Sequence, residues 1–414
     1  MTKSRKILLG ITGSLGLLVA MAYAFDVDYL FKAVRTIYFN GYTTAFLADY
    51  PYFDNRIIED GATQHWNISG KYNFKRPSYS LQRLHKVSGT TAFLVIRNDS
   101  ILHESYYDGY HKDSLSNSFS MAKSIVSAAL GRAIMDGKIK SLNQPVGDFL
   151  PQFKKGLAAQ LTVGDLSSMA SGLDWDENYY SPFSVTTRAY FDDDLTSTML
   201  NLKVTEKPGQ SFKYLSGNTQ LLAMVIEKAT GMPLPEYISK KFWIPMGAEN
   251  AAFWQTDRDG GVIKAYCCIA STARDFARFG KLYMNHGKWN GVQLLDSAFI
   301  AKSVRPRFAD APEYGYGWWL ADYEGKNMYY MRGHLGQYTF VIPEDNLIIV
   351  RLGHRTLKGD AGSDLPIGIL KYIDGAYELM SARKSKDEEV EVPRLKNSPI
   401  FYDREITPRP YPLP

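Results

Sequence analysis

Two strand–turn–strand signals, far apart in the chain, constrain its fold more than any other feature. The first runs Thr91-Ala92-Phe93-Leu94-Val95-Ile96, turns at Asn98-Asp99-Ser100 and returns through Ile101-Leu102-His103-Glu104. The second spans Gln337 to Leu352 and turns at Pro343-Glu344-Asp345-Asn346 into Leu347-Ile348-Ile349-Val350. Apolar and β-branched runs bounded by turn formers read as hairpins, the second as edge-like strands. Between them the periodicity is mostly helical, as in Ser124 to Leu130 and Leu221 to Lys228. Strands at both ends of a body with helices between predict an α+β fold: an antiparallel β-sheet flanked by helices, plus a mainly helical lobe.

The helical run behind the first hairpin opens with Ser120-Met121-Ala122-Lys123. A serine hydroxyl attacks carbonyls poorly until a neighbour takes its proton. Three residues is one helical turn, so Lys123 stands on the same face as Ser120. Burial in an apolar helix lowers a lysine pKa toward the working range of a base. The same spacing recurs at Ser381-Ala382-Arg383-Lys384. There the surroundings are a charged tail, in which a lysine keeps its ordinary pKa, so Ser381 reads as solvated surface.

Acyl transfer also needs a group that takes the serine proton, gives it to the leaving group and then activates water. Tyr214 is the candidate, on the expectation that a neighbouring ammonium lowers its pKa. Its segment, Pro208-Gly209-Gln210-Ser211-Phe212-Lys213-Tyr214, reads as a turn just before a helix. Further on, Arg332-Gly333-His334-Leu335-Gly336-Gln337 leads into the second hairpin. Glycines there permit close approach of a substrate backbone, and the N–H groups of Gln337 and Ser120 are candidates for an oxyanion hole.

With Ser120-Met121-Ala122-Lys123, Tyr214-Leu215-Ser216-Gly217-Asn218 and His334-Leu335-Gly336 in this order, the chain resembles the penicillin-binding, class C β-lactamase-like serine hydrolases. That superfamily includes D-aminopeptidases, esterases and nylon-oligomer hydrolases. The resemblance runs from about residue 60 to 380 and implies the same α+β plan with Ser120 at the junction of sheet and helix. The family's commonest second motif is Tyr-x-Asn. Here position 216 is serine and Asn218 follows two residues later, so either Ser216 or Asn218 takes the amide's contact with lysine and substrate, or the contact is absent. Where penicillin-recognising members often carry Lys-Thr-Gly, this chain has His334, largely neutral at pH 7. A permanent cation for a substrate carboxylate is missing, which favours esterase, amidase or D-aminopeptidase-like activity over β-lactam turnover. Gly336 and His334 are expected to line the site, and Trp175, within Asp174 to Tyr180, to wall an acyl pocket with Trp318 and Trp319.

Other chemistries lack their residues. There is no Gly-x-Ser-x-Gly elbow, no Walker-type loop and no His-Glu-x-x-His or Cys/His cluster, so neither a metal nor a cofactor is called for. Cys267 and Cys268 are adjacent, which makes a mutual disulfide awkward and suggests two buried small hydrophobes. A formal charge of +5 over 414 residues carries no nucleic-acid signal.

The N-terminus reads as targeting: Lys3, Arg5 and Lys6 precede an uncharged run from Ile7 to Phe25. Ala22-Tyr23-Ala24 offers a signal cleavage site, whereas the whole run nearly reaches the ~20 residues that span a bilayer. Export with retention as an anchor is favoured, which leaves the basic end cytoplasmic and the enzyme outside, in the periplasm of a Gram-negative source. The expected organisation is residues 1–25 as signal or anchor, 26–60 as an aromatic extension hugging the membrane interface or packed on the body, 61–382 as hydrolase domain, and 383–414 as a charged, proline-rich tail. The expected function is a serine hydrolase that cleaves an amide or ester of a small molecule or peptide through an acyl-enzyme at Ser120, at the inner membrane. The alternatives are a β-lactamase or DD-peptidase, and a non-catalytic module that binds cell-wall peptide or protein.

Overall fold

The computed structural model describes residues 3–357 and 367–381. The tail expected over 383–414 lies outside the described residues. A seven-stranded sheet forms the centre. Its strands are β1 (Asn67–Ile68), β2 (Thr90–Arg97), β3 (Ser100–Tyr106), β4 (Trp319–Tyr323), β5 (Lys326–Gly333), β6 (Gln337–Ile342) and β7 (Leu347–Gly353). Their order is β4-β5-β6-β7-β2-β3-β1. All pairs are antiparallel except β1 with β3. The two expected hairpins are β2–β3 and β6–β7. Asn98 and Asp99 both adopt positive φ, at 49° and 59°, as the tight turn between twisted strands requires. The second hairpin is not at an edge: β6 and β7 are interior, because β5 and β2 pair with their outer sides.

Alternation along the strands divides the sheet into two faces. Phe93, Val95, Phe340 and Ile349 point to one face, under the helices Tyr79–Val87 and Ile367–Met380. Leu94, Ile96, Val341 and Val350 point to the other, into the larger core. That core holds the helix Ala273–Met284 and the mainly helical lobe, including α3 (Ala122–Met135) and α4 (Ser216–Thr230). Gly280 lets the first of these lie against the sheet, since a Cβ there would already sit 3.2 Å from Ile348 and Val341. A smaller antiparallel sheet joins Asn55–Ile58, Ala252–Gln255, Ile269–Ser271 and Ser116–Asn117. The plan is the expected α+β one.

Before the body stand α1 (Lys3–Ala24) and α2 (Tyr29–Thr36). No residue of α1 is buried, and it is long and apolar enough to cross a membrane, with a mean hydropathy of 2.0. The segment after it packs on the body: Tyr29, Ala33, Ile37, Phe46 and Phe53 enter the main core.

Candidate active site

Ser120 sits in a single helical turn, Phe119–Met121, that feeds directly into α3. The chain reaches it through Phe119 at φ 43°, a conformation that a bulky residue adopts only when its surroundings impose it. Asn117 imposes it, accepting the Phe119 N–H on its Oδ1 at 2.8 Å. Asn117 in turn donates its amide to Asp49 of the extension at 2.9 Å. Asp49 also receives the Tyr190 hydroxyl at 2.6 Å and the Gln255 amide at 2.8 Å.

One turn along, Lys123 directs its Nζ to Ser120 Oγ at 2.8 Å and to the carbonyl of Tyr266 at 2.8 Å. The lysine is 3% exposed. Burial pulls its pKa down to about 8, while the Glu177 carboxylate pulls the other way. At pH 7 about a tenth of such lysines are neutral and able to accept a proton.

Tyr214 stands close enough to Ser120 for that hydroxyl to act on its pKa, and its ring lies 5.2 Å from Lys123 Nζ. Its pKa moves opposite to the sequence expectation. Burial raises it well above 10, and Glu177 adds to this; the Ser120 hydroxyl and the nearby Arg332 guanidinium only partly offset the rise. The phenol therefore keeps its proton, and of the two neighbours of Ser120 Lys123 is the one whose pKa lies nearer neutrality.

His334-Leu335-Gly336 forms the tight turn between β5 and β6, with Leu335 at φ 60° and Gly336 at φ 85°. Buried Arg351 holds this turn by donating to the carbonyls of Leu335 (3.0 Å) and Gly336 (2.8 Å). A Cβ on Gly336 would collide with that guanidinium, and one on Gly333 with the carbonyl of Ser118, so the end of β5 lies against the turn that carries Ser120. Gln337, opposite Gly333, is clamped by its own side chain, which donates to the carbonyl of Gly353 at 2.7 Å and accepts that residue's N–H at 2.9 Å. His334 stacks on Tyr179 at 5.6 Å and meets Phe119 edge-on at 5.5 Å; burial lowers its pKa and keeps it neutral.

The second motif divides. Ser216 opens α4 and lines the cavity above Ser120, but it does not touch Lys123: its N–H and its hydroxyl both donate to Glu177 at 2.6 Å. Asn218 is buried one turn deeper with its amide on Met169 Sδ at 3.4 Å, away from the cavity. The α4 helix has already begun at Ser216, so position 218 faces inward. Of the run Asp174 to Tyr180, Tyr179 and Tyr180 line the pocket, whereas Trp175 does not. It lies beneath, edge-on to Tyr266 at 6.3 Å and against Gly217, where a Cβ would stand 2.6 Å from its ring. Trp318 is core; Trp319 packs on the Tyr214 ring at 5.2 Å.

The cavity, of about 340 Å³, is lined by Phe119, Ser120, Tyr266 and His334. Leu30, Ala33, Val34 and Ile37, on and just after α2, line it as well, with Tyr190 and Phe191 of the helix Val185–Phe191. The extension is thus part of the site, a role its aromatic composition did not reveal. Glu177 was also missed, as one acid among several in a loop. Cys267 lines the same cavity and is disulfide-bonded to Cys268, contrary to expectation. Cys268 takes φ 74°, which swings its side chain back toward Cys267.

A family model described as Beta-lactamase matches residues 82–371. Among curated proteins, a 6-aminohexanoate-dimer hydrolase of Paenarthrobacter ureafaciens is 29% identical over 293 residues, 66% of this chain and 74% of that one. Among solved structures, a protein provisionally assigned as a 6-aminohexanoate-dimer hydrolase in Bacillus anthracis shares the fold with a TM-score of 0.64 and 20% identity, over 80% of this chain and 91% of that one. A D-amino acid amidase of Ochrobactrum anthropi SV3 does so at 0.54 and 17%, over 73% and 97%. Matched over most of its length by that model and folded like these proteins, the chain belongs to the Beta-lactamase family and is a serine hydrolase.

Proposed function

We propose that the protein cleaves an ester or amide bond through an acyl-enzyme at Ser120. The observation that carries this reading is the buried Lys123, 2.8 Å from Ser120 Oγ with its pKa drawn down to about 8. Lys123 takes the hydroxyl proton as Oγ adds to the substrate carbonyl, and the N–H groups of Ser120 and Gln337 receive the oxyanion. Tyr214, still protonated, gives its proton to the leaving group and regains one from the Lys123 ammonium. Water then attacks the acyl-enzyme with Lys123 again as base. Gly336 and neutral His334 shape the site, and with His334 in the third motif where penicillin-recognising proteins often carry a lysine, that cation for a substrate carboxylate is missing. This favours simple esters and amides over β-lactams, in line with the amide cleavage named for the curated relative.

We also place α1 in a membrane, with Lys3, Arg5 and Lys6 on the cytoplasmic side and the body outside. Its apolar, wholly exposed surface supports this.

Intact mass after exposure to a fluorophosphonate, and separately to penicillin, tests the chemistry, with Ser120→Ala as control. Labelling by the fluorophosphonate alone, lost in the variant, is expected. Stable penicillin adducts would point to cell-wall peptide chemistry, and no adduct from either to a binding module.

A further inference from the structure

The cavity above Ser120 has a one-sided chemistry. Among the described residues no Asp, Glu, Lys or Arg lines it, and its histidine, His334, is neutral. The hydroxyls of Thr186 and Thr187 are committed to the carbonyls of Asp176 (2.6 Å) and Ser181 (2.8 Å). The aliphatic side of α2 and the rings of Tyr190 and Phe191 face the space beside a few neutral polar residues, Thr43, Thr44, Ser216 and Tyr266, the hydroxyl of the last buried with no hydrogen-bond partner. These can meet one or two polar atoms but cannot replace the hydration of a charged arm, whereas an apolar arm gains by burial. At about 340 Å³ the space lies in the range of small-molecule sites, roughly 300–1,000 Å³.

Which half of the substrate enters follows from the proton donor. Tyr214 is not among the lining residues, while Ser120, Phe119 and His334 are. The leaving group must reach Tyr214, so the half inside the cavity is the one that stays on Ser120.

The cavity is also tied to the membrane helix. Asp26, two residues past α1, pairs with Arg188 at 2.7 Å, and the Arg188 guanidinium lies 4.9 Å over the ring of Tyr29. Tyr29 donates its hydroxyl to Pro182, itself at the rim, at 2.8 Å. Around this rim large apolar side chains stand free: Phe39 is 80% exposed, Tyr180 84% and Phe183 70%. Aromatic side chains next to a spanning helix suit the headgroup layer of a bilayer.

Resting on the acyl-enzyme reading, we propose that the acyl half of the substrate is a long apolar chain, drawn from the membrane surface into the cavity between α2 and Ser120. Oγ–acyl carbon bonding and loss of the protonated alcohol or amine leave a long-chain acyl-enzyme. Water then adds, the Oγ–carbon bond breaks, and the fatty acid departs as Ser120 recovers its proton.

The test uses the full chain in phosphatidylcholine nanodiscs with p-nitrophenyl acetate, butyrate, hexanoate and decanoate. kcat/KM is expected to rise by up to about fourfold per methylene until the cavity is full. In wild type a flat or falling series overturns the inference, as does a rise with the alcohol chain of acetate esters instead. Ala33→Phe and Ala45→Phe, each placing a ring at a lining position of the cavity, are expected to lower the decanoate-to-acetate ratio by roughly tenfold; unchanged ratios in both overturn the placement. Turnover that needs Ser120 yet ignores acyl length sinks this inference alone, whereas wild-type turnover by Ser120→Ala sinks the acyl-enzyme reading beneath it.

Discussion

Glu177 receives both the N–H and the hydroxyl of Ser216, each at 2.6 Å, and so caps α4 with a carboxylate. The same carboxylate raises the pKa of Lys123 and of Tyr214. One side chain thereby couples the second motif to the first, acting on Lys123 and Tyr214 through its charge.

Glu177→Gln removes the anion that favours the Lys123 ammonium, so the lysine pKa falls below its present value near 8. Since the base works neutral, the acidic limb of kcat/KM against pH moves to lower pH. A limb that stays in place would separate Glu177 from the lysine.

Lys123 itself gives the wild-type limb: kcat/KM climbs with pH through about 8. Lys123→Ala lowers it by roughly 10²–10⁴-fold. A profile flat from pH 6 to 9 would contradict the assignment of the base.

The depressed lysine also costs stability. Below pH 8 the group is charged both folded and unfolded, and the folded chain bears the burial penalty. Between about 8 and its ordinary value of 10.5 the unfolded chain binds more protons, so stability rises with pH across that window. Lys123→Met relieves roughly 3 kcal/mol of penalty at pH 7, less the two hydrogen bonds lost. Chemical unfolding at pH 7 and at pH 10.5 is expected to show its advantage shrinking at the higher pH.

Asp49→Ala leaves the Asn117 and Gln255 amides and the Tyr190 hydroxyl without their acceptor. We expect a loss of about 3 kcal/mol by urea unfolding. Activity should fall further than stability alone explains, because Asn117 fixes Phe119 and hence Ser120.

Gly217→Ala places a methyl 2.6 Å from the buried Trp175 ring. That ring packs against Tyr266, whose carbonyl holds Lys123. A destabilisation of about 2 kcal/mol is expected, measured by thermal unfolding.

The hairpins and the helix behind Ser120 were legible because each is specified locally, by alternation, turn formers and helical spacing. The pairing partners of those hairpins were not: β6 reads as an edge until β5 lies beside it. Asn218 was misplaced because the start of a helix decides which way a side chain points, and Trp175 because nothing in its loop shows whether a ring faces the cavity or the core. The Tyr214 shift depends on burial, which no short motif reports. The Cys267–Cys268 bond rests on a single left-handed residue. The wall from α2 was hidden for a different reason: nothing in residues 29–45 names the distant surface on which they fold.

That wall separates two boundaries in the chain. The portion shared with the family begins at residue 82, while the cavity's lining begins at Leu30. The space beside Ser120 is therefore lined from two stretches of sequence, one before the common portion and one, with Phe119, Tyr190 and Phe191, inside it. A search confined to the common portion reads the second stretch alone.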